Sequence, residues 1–297
     1  MQSAVLVVNP FATRVNDEKL AGVEEALRRV AEVTVVKTEY RRHATELAEA
    51  ACRDGRDAII VFSGDGGFNE ALNGIDGSVP IGFIPGGGTS VLPRALGFPL
   101  DPVDAARQLA EAIERRRTRR ITVGRVNGRR FGFSAGLGLD AAAVRRVDEM
   151  GRSDDGRRPG DLAFALAVVR VLAARRGHLD SALEVKGLGR AAFAFVANGA
   201  PYTYVKGIPL PIAPEADFEL GLDFVAPLRV RRRSIVAVTL AILTGRARSW
   251  PVLYGHDLDR VEMTCDRPMP LHVDGEDLGD VDEAVFEAER NAVSVFI

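Results

Sequence analysis

An apolar run that ends in glycines around a single acid is the first candidate site in this sequence. The segment from Ser63 to Gly67 reads Ser-Gly-Asp-Gly-Gly, and Asn69 and Glu70 follow it. A second glycine cluster, Gly86 to Gly88, also follows an apolar run. Because glycines carry no side chain, backbone N–H groups in such loops can approach a phosphate closely. The two clusters therefore indicate a pocket for the phosphates of a nucleotide.

Two familiar kinds of phosphate chemistry are absent. A Walker-type loop needs a Gly-Lys pair followed by Ser or Thr, and the chain contains no Gly-Lys pair. The charged residues next to the first glycine cluster, Asp65 and Glu70, are both acidic. Protein-kinase signatures are also missing, since neither His-Arg-Asp nor Asp-Phe-Gly occurs. Walker-type NTPase chemistry is therefore excluded.

Both glycine clusters lie in a part of the chain where short apolar segments alternate with amphipathic ones. This alternation is typical of a parallel sheet that is covered by helices on both faces. In such a sheet the loops after the strands converge at one edge, where ligands bind. We expect this edge to hold the loops 9–13, 63–69 and 85–90. The predicted strands are 4–10, 33–38, 57–64 and 79–86, and the predicted helices are 18–31, 44–53, a helix starting at 68, and 102–116.

The pattern changes after residue 120. From Ile121 onward the segments are mostly strand-like, and Asn127-Gly128 predicts the turn of a hairpin. Two segments, 161–175 and 233–244, are instead predicted as helices. The chain is thus predicted to have an α/β domain over residues 1–120 and a β-rich domain over residues 121–283. The segment 284–297 is a candidate to complete the first domain.

Composition limits the class of protein and its surroundings. The chain has 297 residues, 46% of them hydrophobic, and a net charge of -2, so no basic excess points to nucleic acid. Its two cysteines, Cys52 and Cys265, are far apart and have no metal-ligand spacing, which favours a reduced, cytoplasmic setting. The longest clean apolar stretch, 235–244, is about half the length of a bilayer-spanning helix. No signal peptide or transmembrane segment is expected.

Five segments resemble one enzyme family when they are taken in order. Residues 63–67 with Asn69-Glu70 resemble the Gly-Gly-Asp-Gly-Thr signature of diacylglycerol kinases, sphingosine kinases and NAD kinases. The other four segments are similar to motifs of the lipid kinases, and the resemblance to the diacylglycerol kinase catalytic domain family runs over essentially the whole chain. These segments are Val8-Asn9-Pro10, Ile84 to Ala95, Phe133 to Asp140, and Val273-Asp274-Gly275-Glu276.

The resemblance implies a fold, an activity and a set of roles. The fold is a doubly wound parallel-sheet nucleotide domain followed by a C-terminal domain rich in β-sandwich structure. The activity is transfer of the γ-phosphate of ATP, with Mg²⁺, to the hydroxyl of diacylglycerol or a related lipid alcohol. Asp65 would hold Mg²⁺ directly or through water, and Glu276 would act as base with Asp274 beside it. The implied nucleotide-binding residues are Asn9, Pro10, Thr38, Gly64, Asp65, Gly66, Gly67, Asn69, Gly87, Gly88 and Thr89.

Several positions depart from the family pattern. The usual threonine of the first glycine motif is Gly67, and an ungapped match puts Gly88, Ser90 and Val91 where the second motif has Thr, Asn and Asp. Thr89 is a substitute for that threonine by a one-residue shift. Leu220 replaces an Asp of the family's structural magnesium site, so a second metal is not predicted. An NAD-kinase-like activity and a non-catalytic lipid- or nucleotide-binding relative remain as alternatives.

The resemblance also implies partners and a place in the cell. The expected partner is a lipid alcohol, as in phospholipid biosynthesis, and nucleic acid is not expected. The basic runs Arg115 to Arg120 and Arg229 to Arg233 suit peripheral contact with a membrane surface, although solvated faces explain them equally well. The expected localisation is therefore cytoplasmic, with peripheral contact at the inner membrane face. A homodimer is left open.

Overall fold

The chain forms two compact units, and it passes from one to the other twice. A computed structural model describes residues 2–150, 167–168, 170–171, 174, 177–205, 207–231, 244, 246 and 251–297. The first unit comprises Met1–Val123 and Arg290–Ile297, and the second comprises Gly124–Glu289. The chain therefore leaves the first unit after Val123 and returns to it at Arg290. The division expected from the sequence has its changes at residues 120 and 283.

A parallel sheet forms the centre of the first unit. Its strands are rich in Val, Ile and Phe, which favour extended backbone, and the inner ones are buried on both faces. The strand order is β2-β1-β3-β4, and a residue of the last strand of the chain, Val295, pairs in parallel with Ile81 of β4. The strands are β1 (Gln2–Val8), β2 (Ala31–Lys37), β3 (Ala58–Ser63) and β4 (Ile81–Pro85).

Helices connect these strands and cover the sheet. The first packs against the fifth and the second against the third, so two helix layers cover the two buried faces. Asn16 caps the first helix by accepting from the N–H of Lys19, and Asp101 caps the fifth. The predicted doubly wound α/β class is confirmed. The helices are α1 (Asp17–Arg28), α2 (His43–Arg53), α3 (Asp65–Gly74), α4 (Val91–Ala95) and α5 (Pro102–Glu114).

The register of the sheet brings the ends of its strands level. Val8 of β1 lies opposite both Lys37 of β2 and Phe62 of β3, and Ser63 lies opposite Pro85 of β4. The loops that follow the strands therefore leave the sheet at one edge, as predicted. The strand order reverses between β1 and β3, and open α/β sheets bind ligands at such a switch point. The first glycine cluster follows β3, directly at that position.

Antiparallel strands form most of the second unit. The strand order is β14-β13-β10-β7-β15-β16; β8 and β9 extend from β15, and β5 and β6 form a hairpin. The predicted turn at Asn127-Gly128 is confirmed by the pairing of Val126 with Arg129. The strands are β5 (Thr118–Val126), β6 (Arg129–Phe131), β7 (Ser134–Leu137), β8 (Leu183–Val185), β9 (Gly189–Ala191), β10 (Ala194–Ala197), β11 (Thr203–Val205), β12 (Ile208–Leu210), β13 (Leu222–Pro227), β14 (Val252–Leu258), β15 (Arg260–Val273) and β16 (Glu276–Phe296).

Both faces of this antiparallel sheet are buried. On β13, Phe224 contributes to one apolar cluster with Phe131 and Phe286, whereas its neighbour Val225 contributes to another with Phe193. Successive residues of a strand point to opposite faces, so the two clusters lie on opposite sides of β13. The predicted C-terminal domain rich in sandwich-like β structure is confirmed.

The helices of the second unit agree less well with those predicted from the sequence. A helix, α6 (Leu139–Glu149), begins directly after β7, in a segment for which the sequence predicted no helix. The positive φ of Gly138, 98°, allows this abrupt change from strand to helix. Most of the predicted helix 161–175, and all of 233–244 but its last residue, lie outside the described residues. Among the helices that the structure does describe, none combines the length and apolarity that a bilayer span requires.

Candidate active site

The first glycine loop joins β3 to the N-terminus of α3. Gly64 has extended backbone and stands immediately before the helix, whose first residue is Asp65. The N–H groups of Gly67 and Phe68 already donate to the carbonyl of Gly64, which closes the first turn. The remaining N–H groups and the helix dipole favour an anion at this end of the helix. The loop therefore has the local geometry that a phosphate requires.

The second glycine loop lies directly against the first. The N–H of Gly86 donates to the carbonyl of Ser63 at 2.6 Å, which continues the pairing of β3 with β4. A Cβ on Gly87 would stand 2.8 Å from the Cα of Gly64, closer than side chains approach a backbone. Glycine is therefore required where the loops cross, because only glycine lets the two backbones approach this closely.

Asp65 ties the two loops together. Its Oδ1 accepts a hydrogen bond of 2.7 Å from the N–H of Val91, the first residue of α4. Ser90, which precedes that helix, has a left-handed φ of 47° and makes no side-chain cap, so the carboxylate of Asp65 acts as the cap from outside. The sequence predicted a metal ligand at this position. The geometry adds a structural role for one of the two carboxylate oxygens.

The described residues offer no ready-made metal cage at these loops. Nowhere in the described part of the chain do three or more His, Cys, Asp or Glu side chains group as metal ligands. Mg²⁺ commonly binds through one or two carboxylates together with substrate phosphates and water. Asp65 therefore fits an ion that arrives with a triphosphate, rather than one held by the protein alone.

Ser63 takes the place of the side chain that is missing at Gly67. A Cβ built on Gly67 would stand 2.1 Å from the Oγ of Ser63 and 2.7 Å from its Cβ. The Oγ of Ser63 is buried, and no hydrogen-bond partner for it exists among the described residues. A hydroxyl thus lies next to the space that the threonine of the family motif would fill. Ser63 was not predicted as a site residue, although its exchange with Gly67 is visible in the motif.

The loops after β1 and β2 complete this edge of the first unit. Asn9 donates its N–H to the carbonyl of Phe62 at 3.0 Å, and its Oδ1 accepts from the N–H of Phe11 at 3.0 Å. Thr38 is buried and donates its N–H to the carbonyl of Val8. Asn9 and Thr38 therefore follow β1 and β2, the two strands that come next to β3 in the sheet order. Pro10 lies in the loop after β1, Gly66 in the first turn of α3, and Gly88 and Thr89 in the loop after β4.

Asn69 differs from the other predicted nucleotide-binding residues. It is fully buried within α3, and its side-chain Oδ1 accepts from the Nδ2 of Asn73 one turn later at 3.2 Å. The structure therefore places Asn69 in the packing of the helix rather than in the glycine loops.

Arg14 is a cation at the glycine loops that the sequence analysis missed. Its backbone N–H donates to the carbonyl of Gly86 at 2.7 Å, and its Nε donates to the carbonyl of Gly87 at 3.0 Å. Arg14 lies outside the glycine clusters, five residues after Asn9, so a search for a basic residue inside those clusters cannot find it. Only the pairing of the loops in the folded chain brings it to the second glycine loop.

In the second unit, Asp274 occupies the turn between β15 and β16. Asp274 and Gly275 both have positive φ, 47° and 78°, as the tight turn of a two-residue hairpin requires. The Asp274 carboxylate is buried and accepts from three backbone N–H groups, those of Gly132, Phe133 and Ser134, at 2.6 to 3.1 Å. Asp274 therefore holds the loop between β6 and β7 in place.

Glu276 is the more accessible acid of this turn. It begins β16, its side chain is 27% exposed, and its Oε2 accepts from the Nη2 of Arg129 at 3.1 Å. A partly exposed carboxylate next to an arginine can accept a proton from an alcohol that comes within hydrogen-bond reach. Of the two acids assigned to catalysis from the sequence, Glu276 thus has the surroundings of a base and Asp274 those of a positioning residue.

A buried polar network lies behind this turn. Asp140 Oδ2 is 2.6 Å from the Nε2 of His272 and accepts from the hydroxyl of Tyr202 at 2.5 Å. All three side chains are almost completely buried, and burial raises the pKa of Tyr202 well above its ordinary value. Since Asp140 lies in the first turn of α6 and His272 belongs to β15, the network joins this helix to the strand that precedes Asp274. These residues were not predicted as site residues from the sequence.

The segment around Leu220 holds a further buried acid, Asp223. This fully buried carboxylate lies 2.9 Å from the Nδ1 of His256 and accepts from the hydroxyl of Tyr254 and the N–H of Asp257. Its oxygens are thus bound by protein donors.

Comparison with known proteins finds two family matches, one after the other along the chain. Residues 3–126 match the family described as Diacylglycerol kinase catalytic domain. Residues 134–297 match the family described as YegS C-terminal NAD kinase beta sandwich-like domain. Among curated proteins, a candidate lipid kinase of Streptococcus pneumoniae is 30% identical over 178 residues, which are 57% of this chain and 57% of that protein. The chain thus matches about half the length of the curated relatives.

Solved structures share the fold. A candidate diacylglycerol kinase of Bacillus anthracis aligns with a TM-score of 0.78 and 21% identity, and the alignment covers 99% of this chain and 95% of that one. An NAD kinase of Archaeoglobus fulgidus, solved in complex with ATP, aligns with a TM-score of 0.54 and 17% identity over 99% of this chain and 93% of that one. At identities of 21% and 17%, these alignments show a similarity of fold alone. With two family matches that together span nearly all of the sequence, the chain belongs to the family that combines a diacylglycerol kinase catalytic domain with a YegS C-terminal NAD kinase beta sandwich-like domain.

Proposed function

We propose that the protein is a lipid kinase that uses Mg-ATP to phosphorylate the hydroxyl of diacylglycerol or a related lipid alcohol. The observation that carries this proposal is the meeting of two glycine loops with Asp65 at one edge of the sheet, in a member of a lipid kinase family. ATP as donor is supported by the NAD kinase of similar fold, which was solved with ATP. The backbone amides of the loops would receive the phosphates.

Each candidate residue has a definite part in this proposal. Phosphoryl transfer depends mainly on positioning and on neutralising the charge of the triphosphate. Mg²⁺ would supply positive charge and hold the phosphates in line when bound. The Asp65 carboxylate would orient that ion, and Glu276 would accept the proton of the lipid hydroxyl. Asp274 would keep the turn that presents Glu276.

A lipid acceptor implies an encounter with a membrane surface. We propose a cytoplasmic protein that meets the bilayer peripherally, because the substrate resides there and the family acts on lipids. A homodimer remains a further proposal, for which the oligomeric state in solution is the direct measurement.

A second function is favoured by one specific observation. Oδ1 of Asp65 is bound by the N–H of Val91, and Val91 itself stands where the family motif has an acid. With fewer carboxylate oxygens for a metal, the chain could bind nucleotide without transferring phosphate. This non-catalytic alternative and the NAD-kinase-like alternative both predict binding of ATP, so only turnover separates the three.

The deciding experiment measures turnover with ATP radiolabelled at the γ-phosphate. Purified protein, Mg-ATP and mixed micelles of diacylglycerol, monoacylglycerol, ceramide or sphingosine are incubated, with NAD as a soluble acceptor in parallel. We expect label in a glycerolipid, and loss of at least a hundredfold in rate for Glu276→Gln. Glu283→Gln, which removes an exposed charge from the same strand, is the matched control and should keep the rate.

Each alternative has its own signature in that experiment. ATP binding without label in any acceptor would establish the non-catalytic alternative. Label in NAD alone would establish the NAD-kinase-like one. A normal rate for Glu276→Gln would remove Glu276 from the catalytic role.

A further inference from the structure

We propose that Arg14 is the fixed cation of the phosphate pocket, and that its guanidinium binds a phosphate group of the nucleotide beside the second glycine loop. This inference rests on the proposed function only in taking a nucleotide triphosphate as the ligand. It adds a phosphate-binding residue that neither the motifs nor the family signature of glycines and Asp65 contains.

The position of Arg14 is fixed by one hydrogen bond from its backbone and one from its side chain. Its backbone N–H binds the carbonyl of Gly86 and its Nε binds the carbonyl of Gly87, at 2.7 and 3.0 Å. The loop that carries it is itself ordered, because the N–H of Ala12 bonds to Asn9 and the N–H of Val15 bonds to Ala12. The guanidinium is therefore held at the second glycine loop before any ligand binds.

Most of the guanidinium remains available for a ligand. Of its five N–H donors, the bond to Gly87 uses the one on Nε, which leaves the four on the terminal nitrogens. Among the described residues, the hydrogen bonds of Arg14 go to backbone carbonyls, and it forms no ion pair with a carboxylate. The terminal pair of nitrogens has the planar geometry that binds two phosphate oxygens at once.

Charge and burial favour an anionic ligand at this point. Arg14 is partly buried, and removing a charge from water without a counterion costs free energy. A carbonyl oxygen reduces that cost but leaves the net charge of the side chain uncompensated. A phosphate next to Gly87 would provide the missing negative charge, and the glycine amides would bind its other oxygens. Arg14 would thus do what a lysine does in Walker-type loops.

The competing explanation is purely structural: Arg14 could serve only to tie the first loop to the second. Substitutions at this one position separate the two explanations. Arg14→Gln retains a side-chain N–H donor but has no charge, whereas Arg14→Lys retains the charge but lacks the Nε group that binds Gly87. A phosphate cation requires the charge, and a tie requires the hydrogen bond.

The experiment is calorimetric titration of the full chain with ATP and with inorganic tripolyphosphate, in magnesium and in EDTA, at several salt concentrations. We expect Arg14→Ala and Arg14→Gln to weaken the binding of both ligands about ten- to hundredfold, the range for a charged hydrogen-bonding group. Arg14→Lys should retain most of the affinity. The salt dependence of binding should be shallower in the two uncharged variants.

Arg29→Ala is the matched control, since it removes an exposed arginine from the far end of α1 and should leave both affinities unchanged. The proposal is overturned if Gln binds like the native chain while Lys binds like Ala, if the affinities of Ala and Gln are normal, or if the native chain binds neither ligand. Native affinity for ATP together with absence of transfer to any lipid would remove the proposed function and leave this inference standing.

Discussion

The first glycine loop differs from the family motif at two positions, Ser63 and Gly67. Where the family motif has glycine followed four residues later by threonine, this chain has Ser63 and Gly67. The Oγ of Ser63 fills the space in which a Cβ at position 67 would stand. The two substitutions therefore depend on each other, because a threonine at 67 and a serine at 63 would compete for one volume.

This dependence predicts a coupled pair of variants. Gly67→Thr alone should lower the free energy of unfolding by about 1 to 3 kcal/mol, since overpacking a filled site forces neighbours to move. Adding Ser63→Gly should remove most of that loss. Urea denaturation of the two single variants and the double variant measures the coupling free energy.

Gly66 provides the control for that measurement. A Cβ at Gly66 meets nothing within 4 Å, although it lies in the same first turn of α3. Gly66→Ala should therefore leave stability unchanged or raise it by up to about 1 kcal/mol. A loss for Gly66→Ala as large as that for Gly67→Thr would show that crowding against Ser63 does not cause the destabilisation.

In the buried network of Asp140, His272 and Tyr202, the hydroxyl of Tyr202 donates a hydrogen bond to Asp140. Tyr202→Phe removes the donor 2.5 Å from the Asp140 carboxylate and leaves that buried group with one hydrogen bond fewer. We expect a loss of about 2 kcal/mol in the free energy of unfolding, measured in urea. Tyr40→Phe, which removes an exposed hydroxyl bonded to Glu46, should cost less than about 0.5 kcal/mol.

At the scale of elements, the five-residue helix α4 begins with help from another part of the chain. A helix this short gains little from its own hydrogen bonds, and its N-terminal N–H at Val91 is bound by Asp65 of α3. Asp65 therefore connects the two helices that follow the glycine loops. Its side chain therefore has a structural role at the glycine loops, in addition to the proposed role of binding Mg²⁺.

Two substitutions at Asp65 should separate these functions. Asp65→Asn keeps an oxygen that can accept from Val91, so stability should change little, whereas Asp65→Ala should lose about 1 kcal/mol. Both should abolish phosphate transfer if the carboxylate orients Mg²⁺. Thermal unfolding and the radiolabel assay on the same preparations provide the comparison. Full activity of Asp65→Asn would leave the capping role as the only one.

The cap of α5 predicts a dependence on pH. Hydrogen bonds from Lys19 lower the pKa of Asp101, which also accepts from the N–H groups of Val103 and Asp104. A lowered folded-state pKa gives stability that is present above the unfolded value, about 3.9, and is lost as pH falls through the folded value. Asp101→Ala should therefore cost about 1 kcal/mol at pH 7 and less at about pH 3.

Asp101→Asn is the control for this prediction, because asparagine is an equally good N-cap that does not ionise. Its loss at pH 7 should be small, since the ion pair with Lys19 is on the surface. A loss for Asp101→Ala that stays constant from pH 7 to pH 3 would contradict the argument.

Much of the element level could be predicted from the sequence because it depends on local patterns. Apolar segments followed by glycine loops predicted the parallel sheet and the edge at which its loops meet. Asn127-Gly128 predicted the hairpin of β5 and β6. Arg14 and the partners of Asp140 could not be predicted, since each acts through a contact between distant segments. The helix α6 was missed because it follows β7 with no polar cap residue, its first position being preceded by Gly138.

At the scale of the whole molecule, the first unit is assembled from two distant stretches of chain. Residues 290–297 belong to it, and Val293, Val295 and Phe296 are buried there. They are separated from the rest of the unit by the entire second unit. The first unit therefore lacks part of its core whenever the chain is cut between the two.

A fragment experiment tests this arrangement. A chain of residues 1–126 should be much less stable than the first unit in the full protein, because burial of three apolar side chains at roughly 1.5 to 3 kcal/mol each is lost. Circular dichroism with heating compares the two. A fragment as stable as the full chain would show that residues 290–297 are dispensable for this unit.

The pairing of Val295 with Ile81 can form only after nearly the whole chain has been synthesised. The ribosome completes β4 more than 160 residues before it makes the strand that covers that edge, as the second unit spans Gly124–Glu289. During that interval one side of β4 has unpaired backbone groups, and exposed strand edges template association between chains. Solubility of the newly made protein should therefore depend on the last strand more than on the glycine loops after β3 and β4.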